Sequence, residues 1–141
     1  MRRGDNRDTR RGAAMVEMAL VLPLFILLAF SIVEFGRAMM ASQLVTNAAR
    51  DGARLASIDG STNQQVRDAV LEFLELSLGP NSSSASITIE VNGAASEVAN
   101  CSPGDMCTIT VSIPYSEITL TRAQFLDSTN IVGHCAMRRE W

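Results

Sequence analysis

Few residues in this sequence could carry chemistry, and the most informative is a carboxylate in an unexpected place. Glu17 interrupts an otherwise apolar run from Ala13 to Val33, with no charge from Met18 onward. A carboxylate in hydrocarbon costs at least about 2.5 kcal/mol, so an acid in such a run marks a function more than a packing choice. Cys101 and Cys107 bracket Ser-Pro-Gly-Asp-Met, a turn-forming insert, with no nearby His or further Cys to complete a zinc site. Three cysteines allow three pairings, of which Cys101–Cys107, closing that turn, comes first. Cys135 is then left either as a small buried residue or for a bond between molecules. His134 is the only histidine. It precedes Cys135 on a predicted strand, where neighbours point to opposite faces, so the two make no nucleophile–base dyad. Glu72 and Glu75 read as a solvated helix face, and no phosphate-binding glycine loop is present. Neither catalytic residues nor a cofactor or metal are expected.

The element that must position Glu17 is a helix. A membrane span needs roughly 20 residues at about 1.5 Å each, which residues 13–33 supply. Pro23 removes one backbone hydrogen bond and kinks the helix, which membrane helices tolerate better than soluble ones. Leu20 to Phe30 is apolar all round, unlike the one-sided stripe of a helix packed on a soluble core. A secretory signal cut at Ala29-Phe30-Ser31 is an alternative, but the helical pattern continues unbroken past Ser31. Residues 1–12 hold five arginines against Asp5 and Asp8, although the whole chain has a net charge of −3. Positive flanks stay in the cytoplasm, which puts residues 38–141 outside. The acidic remainder offers no basic face for nucleic acid.

Beyond Arg37 no helix breaker appears before Asp59-Gly60. Ala41, Val45, Ala48, Gly52 and Leu55 recur at helical spacing, opposite Gln43, Asn47, Arg50, Arg54 and Ser57. Gly36 and Gly52 each cost about 1 kcal/mol relative to alanine in an isolated helix, which close helix contact or a local bend would explain. Ser61-x-x-Gln64 reads as a capping box opening a second helix with Val66, Ala69, Val70, Phe73 and Leu76 on one face, stopped by Gly79-Pro80. The period then switches to two: a strand over residues 87–91, the hairpin signal Asn92-Gly93, a weak strand over 94–100 at best, and a clear strand over 107–113. Residues 116–129 are ambiguous, and residues 130–138 read as a last strand. The expected layout is a cytoplasmic basic leader (1–12), a long helix (13–57) with its transmembrane part at about 13–36, and an extracytoplasmic domain (58–141). That is an α+β fold, with the second helix packed on an antiparallel sheet of three or four strands.

Gly12-Ala13-Ala14-Met15-Val16-Glu17, with a basic leader before it and an apolar helix after it, resembles the processing site of type IV pilin-like proteins. Gly12-x4-Glu17-x-Ala19-x3-Pro23, then Glu34-Phe35-Gly36-Arg37, is similar to the TadE-like proteins of tight-adherence (Flp) pilus systems. Ala48-Ala49-Arg50-Asp51-Gly52-Ala53-Arg54 and the closing Ala136-Met137-Arg138-Arg139-Glu140 resemble that family too. Met18 stands where Flp major pilins usually carry a tyrosine, which favours a minor, TadE-type member. The resemblance implies a pilin-like fold and cleavage by a prepilin peptidase between Gly12 and Ala13. It also implies a role for Glu17 in pairing with the mature N-terminus at Ala13 of a neighbouring helix. The implied partners are that peptidase, other pilin-like subunits, the inner-membrane assembly platform and membrane lipid. An unprocessed, permanently anchored binding or scaffold module is the alternative, with a secreted enzyme behind it.

Overall fold

The computed structural model describes residues 6–118 and 129–140. The first five residues of the expected leader and most of the ambiguous stretch 116–129 lie outside the described residues. Helix α1 runs over Asn6–Ala56, starting inside the basic leader and not at Ala13. Arginine is a good helix former, and three of the seven residues from Asn6 to Gly12 are arginines. The chain divides into two compact units between Gly36 and Arg37.

The first unit is the N-terminal part of α1, with Pro23 inside it. Every side chain from Arg11 to Val33 is exposed, Leu20, Phe25, Leu27 and Phe30 among them. The one polar side chain in its apolar middle, Ser31, is satisfied within the helix: its hydroxyl donates to the Leu27 carbonyl at 2.8 Å. Among the described residues, α1 is the one helix long and apolar enough to cross a membrane, with a mean hydropathy of 2.5 in its most apolar window.

The second unit is α+β, as expected. It combines the rest of α1 with α2 (Asn63–Leu78) and four strands: β1 (Ser86–Val91), β2 (Ala94–Ala95), β3 (Met106–Pro114) and β4 (Asn130–Arg138). The sheet has the order β2-β1-β3-β4, every pairing antiparallel. Its core is small residues of α1 (Ala41, Val45, Ala48, Ala49, Ala53, Ala56), Val66, Val70 and Leu74 of α2, and Ile87, Ile89, Ile109, Val111 and Ile113 of the sheet. The buried stripe of α1 is wider than its sequence period suggests, because alanine at 49, 53 and 56 lets the second layer close over that side as well.

Two glycines set how closely the layers approach. A Cβ on Gly133 of β4 would lie 2.7 Å from the Thr46 backbone nitrogen, and one on Gly52 would lie 2.7 Å from Val70 Cγ2. Close contact therefore accounts for Gly52. Gly36 has nothing within 4 Å of such a Cβ, so close contact does not account for it.

The capping box of α2 stands one residue later than the sequence pattern. Thr62 is the N-cap, accepting from Gln65 N at 3.3 Å while the Gln65 side chain accepts from Thr62 N at 3.0 Å. Ser61 is buried and its hydroxyl donates instead to the Leu55 carbonyl at 2.7 Å, which closes the α1–α2 turn. α2 buries Val66, Val70 and Leu74, one turn apart, and Leu76, two residues beyond Leu74, falls on the far side and is 81% exposed. Asn92 (φ 52°) and Gly93 (φ 80°) both take positive φ, as a two-residue type I′ hairpin requires. Only Ala94–Ala95 of the weak strand pairs, against Glu90 and Val91.

Candidate functional site

The functional signals concentrate on α1. Gly12, Ala13 and Glu17 all lie within the helix, and nothing stands within 4 Å of a Cβ built on Gly12. Residues four apart share a helix face, so Ala13 and Glu17 are neighbours one turn apart. Glu17 is exposed on a surface formed by Met15, Val16, Met18, Leu20 and Val21, a carboxylate set in an apolar cylinder. Pro23 interrupts the helix ladder one and a half turns on without ending the helix. At the start of the second unit, Arg37 Nε donates to the Ile118 carbonyl at 2.6 Å. This bond ties the chain after β3 to the point where α1 enters the folded domain.

Residues 12–54 match the family model of TadE-like proteins. No curated protein and no solved structure matches the chain. The TadE-like segment lies wholly within α1, from the glycine ahead of Glu17 to Arg54 in the last helical turn. It joins an apolar half exposed all round to a half whose alanines and Gly52 carry the sheet and α2.

A second cluster lies outside the TadE-like segment, where α1 ends. Cys101 and Cys107 are both buried, with their sulfurs 3.0 Å apart. Burial, reinforced by the hydrogen bond with Cys101, pushes the Cys107 thiol up to about 12. Cys107 therefore holds its proton at neutral pH. The turn between them is built by Asp105, whose carboxylate accepts from Ser102 N at 2.8 Å and from Asn92 Nδ2 at 2.9 Å. The Asn92 bond first, then the Ser102 bond, hold that carboxyl below the usual aspartate range. Arg139 closes the cluster. It is buried, donates to the Val98 carbonyl at 3.2 Å and pairs with Asp59. Its backbone N–H donates to Asp105 O, and its carbonyl accepts from Gly104 N.

The sequence reading missed Arg139, Asp59 and Arg37 as contacts. An arginine in a terminal Arg-Arg-Glu run carries no periodic signal, and its partner lies 80 residues away. His134 and Cys135 lie on opposite faces of β4, the histidine exposed and the cysteine packed against the core, so the structure does not bring them together. Cys135 contacts neither of the other cysteines through a hydrogen bond.

Proposed function

We propose that this protein is a TadE-like minor pilin or pseudopilin. On this reading α1 holds it in the bacterial inner membrane with the N-terminus in the cytoplasm, and a prepilin peptidase cuts it after Gly12. The mature subunit then takes part in assembling a tight-adherence (Flp) pilus and does no enzymatic chemistry. The observation that carries this is Glu17: an exposed acid on an apolar helix, within the segment similar to TadE-like proteins. Once the leader is gone, Ala13 carries a free ammonium on the same helix face as Glu17. A neighbouring subunit's carboxylate can then compensate that charge. Opposite charges in low dielectric attract strongly, which offsets part of their desolvation and penalises a wrong register.

Mass spectrometry of the mature N-terminus tests the processing step. A chain beginning at Ala13 is expected; one beginning at Met1 would make the protein a permanently anchored module, and one beginning near Ile32 a secreted one. The helical conformation of residues 6–12 favours the anchored alternative, because a peptidase must open the helix to reach the Gly12–Ala13 bond. The assembly role has its own test. Glu17→Ala should be cut normally and stay in the membrane, yet cells matched for expression should make few pili. Normal piliation would leave Glu17 as an acid hydrated at the bilayer edge.

The reading also predicts a Cys101–Cys107 disulfide in the oxidising compartment outside the membrane. The two thiols would give two protons and two electrons to a disulfide-exchange partner, with protonated Cys107 the poorer attacking group. Closing so short a loop contributes at most about 3 kcal/mol. Free labelling of both thiols in unreduced, denatured protein isolated from membranes would remove the bridge.

A further inference from the structure

Asn92 is the one asparagine of this chain that is followed by glycine; the others precede Arg7, Ala48, Gln64, Ser82, Cys101 and Ile131. The pair makes the hairpin turn, and it also carries a reaction of its own. A glycine has no Cβ, so its backbone nitrogen can approach the side-chain carbon of the preceding asparagine without hindrance. Both residues are exposed to water.

In the folded chain the Asn92 amide is engaged at both ends. Its Nδ2 donates to Asp105 Oδ1 at 2.9 Å, and its Oδ1 accepts from Met106 N at 3.0 Å. The Asn92 backbone N–H donates to the Met106 carbonyl at 2.9 Å. Both side-chain partners lie across the ladder from β1, where β3 begins. Closing a five-membered ring between Asn92 Cγ and Gly93 N requires the side chain to release both partners. It also requires the turn to open, because the ring holds the Asn92 ψ far from the value a type I′ turn needs.

We propose that Asn92 is a self-modifying site, deamidated by its own Gly93 nitrogen and water, and that the clamp to Asp105 is the gate that keeps it closed in the folded domain. Gly93 N attacks Asn92 Cγ and gives up its proton as the new C–N bond forms. The Cγ–Nδ2 bond breaks, and that nitrogen leaves as ammonia with the proton. Water then opens the cyclic imide at either carbonyl. One opening gives aspartate; the other gives isoaspartate, whose main chain runs through Cβ and Cγ. An amide and a water become a carboxylate and an ammonium, and nothing is oxidised or reduced.

The conversion runs one way, because neither product rebuilds the clamp. A carboxylate at position 92 meets the Asp105 carboxylate acceptor to acceptor, with no proton to offer. Asp105 also accepts from Ser102 N in the turn that carries Cys101 and Cys107, so the loss reaches the cysteine corner. An isoaspartate lengthens the main chain of a two-residue turn whose register pairs Val91 with Ala94. Chains that stay unfolded are thereby marked covalently at one position.

The test uses the full chain in detergent micelles at mildly alkaline pH, which favours loss of the Gly93 proton. Peptide mapping by mass spectrometry reads the gain of one mass unit at Asn92, and isoaspartyl methyltransferase labelling reads the isoaspartate. Deamidation should be fastest in urea and slower by at least about tenfold in the folded protein. Asp105→Ala should speed the folded protein about tenfold, the effect of losing one hydrogen bond to a charged group. Asp59→Ala weakens the same corner without touching the clamp and should accelerate the reaction far less. Gly93→Ala should be slow even in urea, which ties the reaction to access of that nitrogen. Asn92→Asp should melt below the wild-type protein. No deamidation at Asn92 in urea would overturn the site. Equal rates in urea and in the folded protein would overturn the gate. So would equal acceleration by Asp59→Ala and Asp105→Ala, because reaction through unfolding of the whole domain responds to both.

Discussion

A guanidinium with 3% of its side chain exposed, paired with a carboxylate that is 85% exposed, is an unequal partnership, and the two deletions should cost differently. Arg139→Met keeps the aliphatic volume and leaves Asp59 in water, so it should lose only hydrogen bonds, about 1 kcal/mol. Asp59→Ala removes a carboxylate paired with a buried guanidinium; even discounted for the exposed carboxylate it should cost more, about 2 kcal/mol. Urea midpoints of the two variants check the order. Asp105 makes this corner acid-sensitive. Its folded pKa lies below the unfolded value, so its contribution is complete above the ordinary aspartate pKa of about 3.9 and is lost as pH falls through the lower folded value. Asp105→Asn should therefore flatten the stability profile below pH ~4. For Cys107 the sign is opposite. Its raised pKa gives the reduced protein a contribution that is complete below about 8.5 and lost as pH rises through about 12. Oxidised protein should lack this alkaline loss, which thermal melts in buffers of rising pH would read.

At the scale of elements, the two contact glycines differ in what faces them. Gly133→Ala pushes a methyl into the backbone of Val45 and Thr46, which cannot move without bending α1. It should cost about 3 kcal/mol, the upper end of overpacking. Gly52→Ala meets mainly the Val70 side chain, which can turn, and regains about 1 kcal/mol of helix propensity. It should cost far less, and Gly36→Ala, meeting nothing, should be neutral or stabilising. Chemical denaturation of the three variants tests this ranking. α2 shows how a local motif is overruled: Ser61 and Thr62 both suit an N-cap, but Ser61 is drawn under the Leu55 carbonyl, so Thr62 takes the role. The alternating patterns of β1 and β3 were legible because one face of each is buried and a period of two has only one register that buries it.

For the whole molecule the expected topology is a periplasmic C-terminus. A periplasmic reporter fused after Trp141 should be active; cytoplasmic activity there would remove the pilin reading and the disulfide with it. The sequence by itself determined what depends on neighbours in the chain. That covers a helix apolar on every side with one acid near its start, the type I′ hairpin at Asn92-Gly93, the strands that alternate, and the α+β class. It also carried the TadE-like pattern, because Gly12, Glu17, Pro23 and Arg37 lie on one continuous helix where spacing in sequence is spacing in space. The tertiary structure alone decided what joins distant segments. It set Arg139 against Asp59, Arg37 against Ile118 and Gly133 under α1. Those contacts depend on which face of each element meets which, and a period along the chain names the buried face of an element without naming its partner.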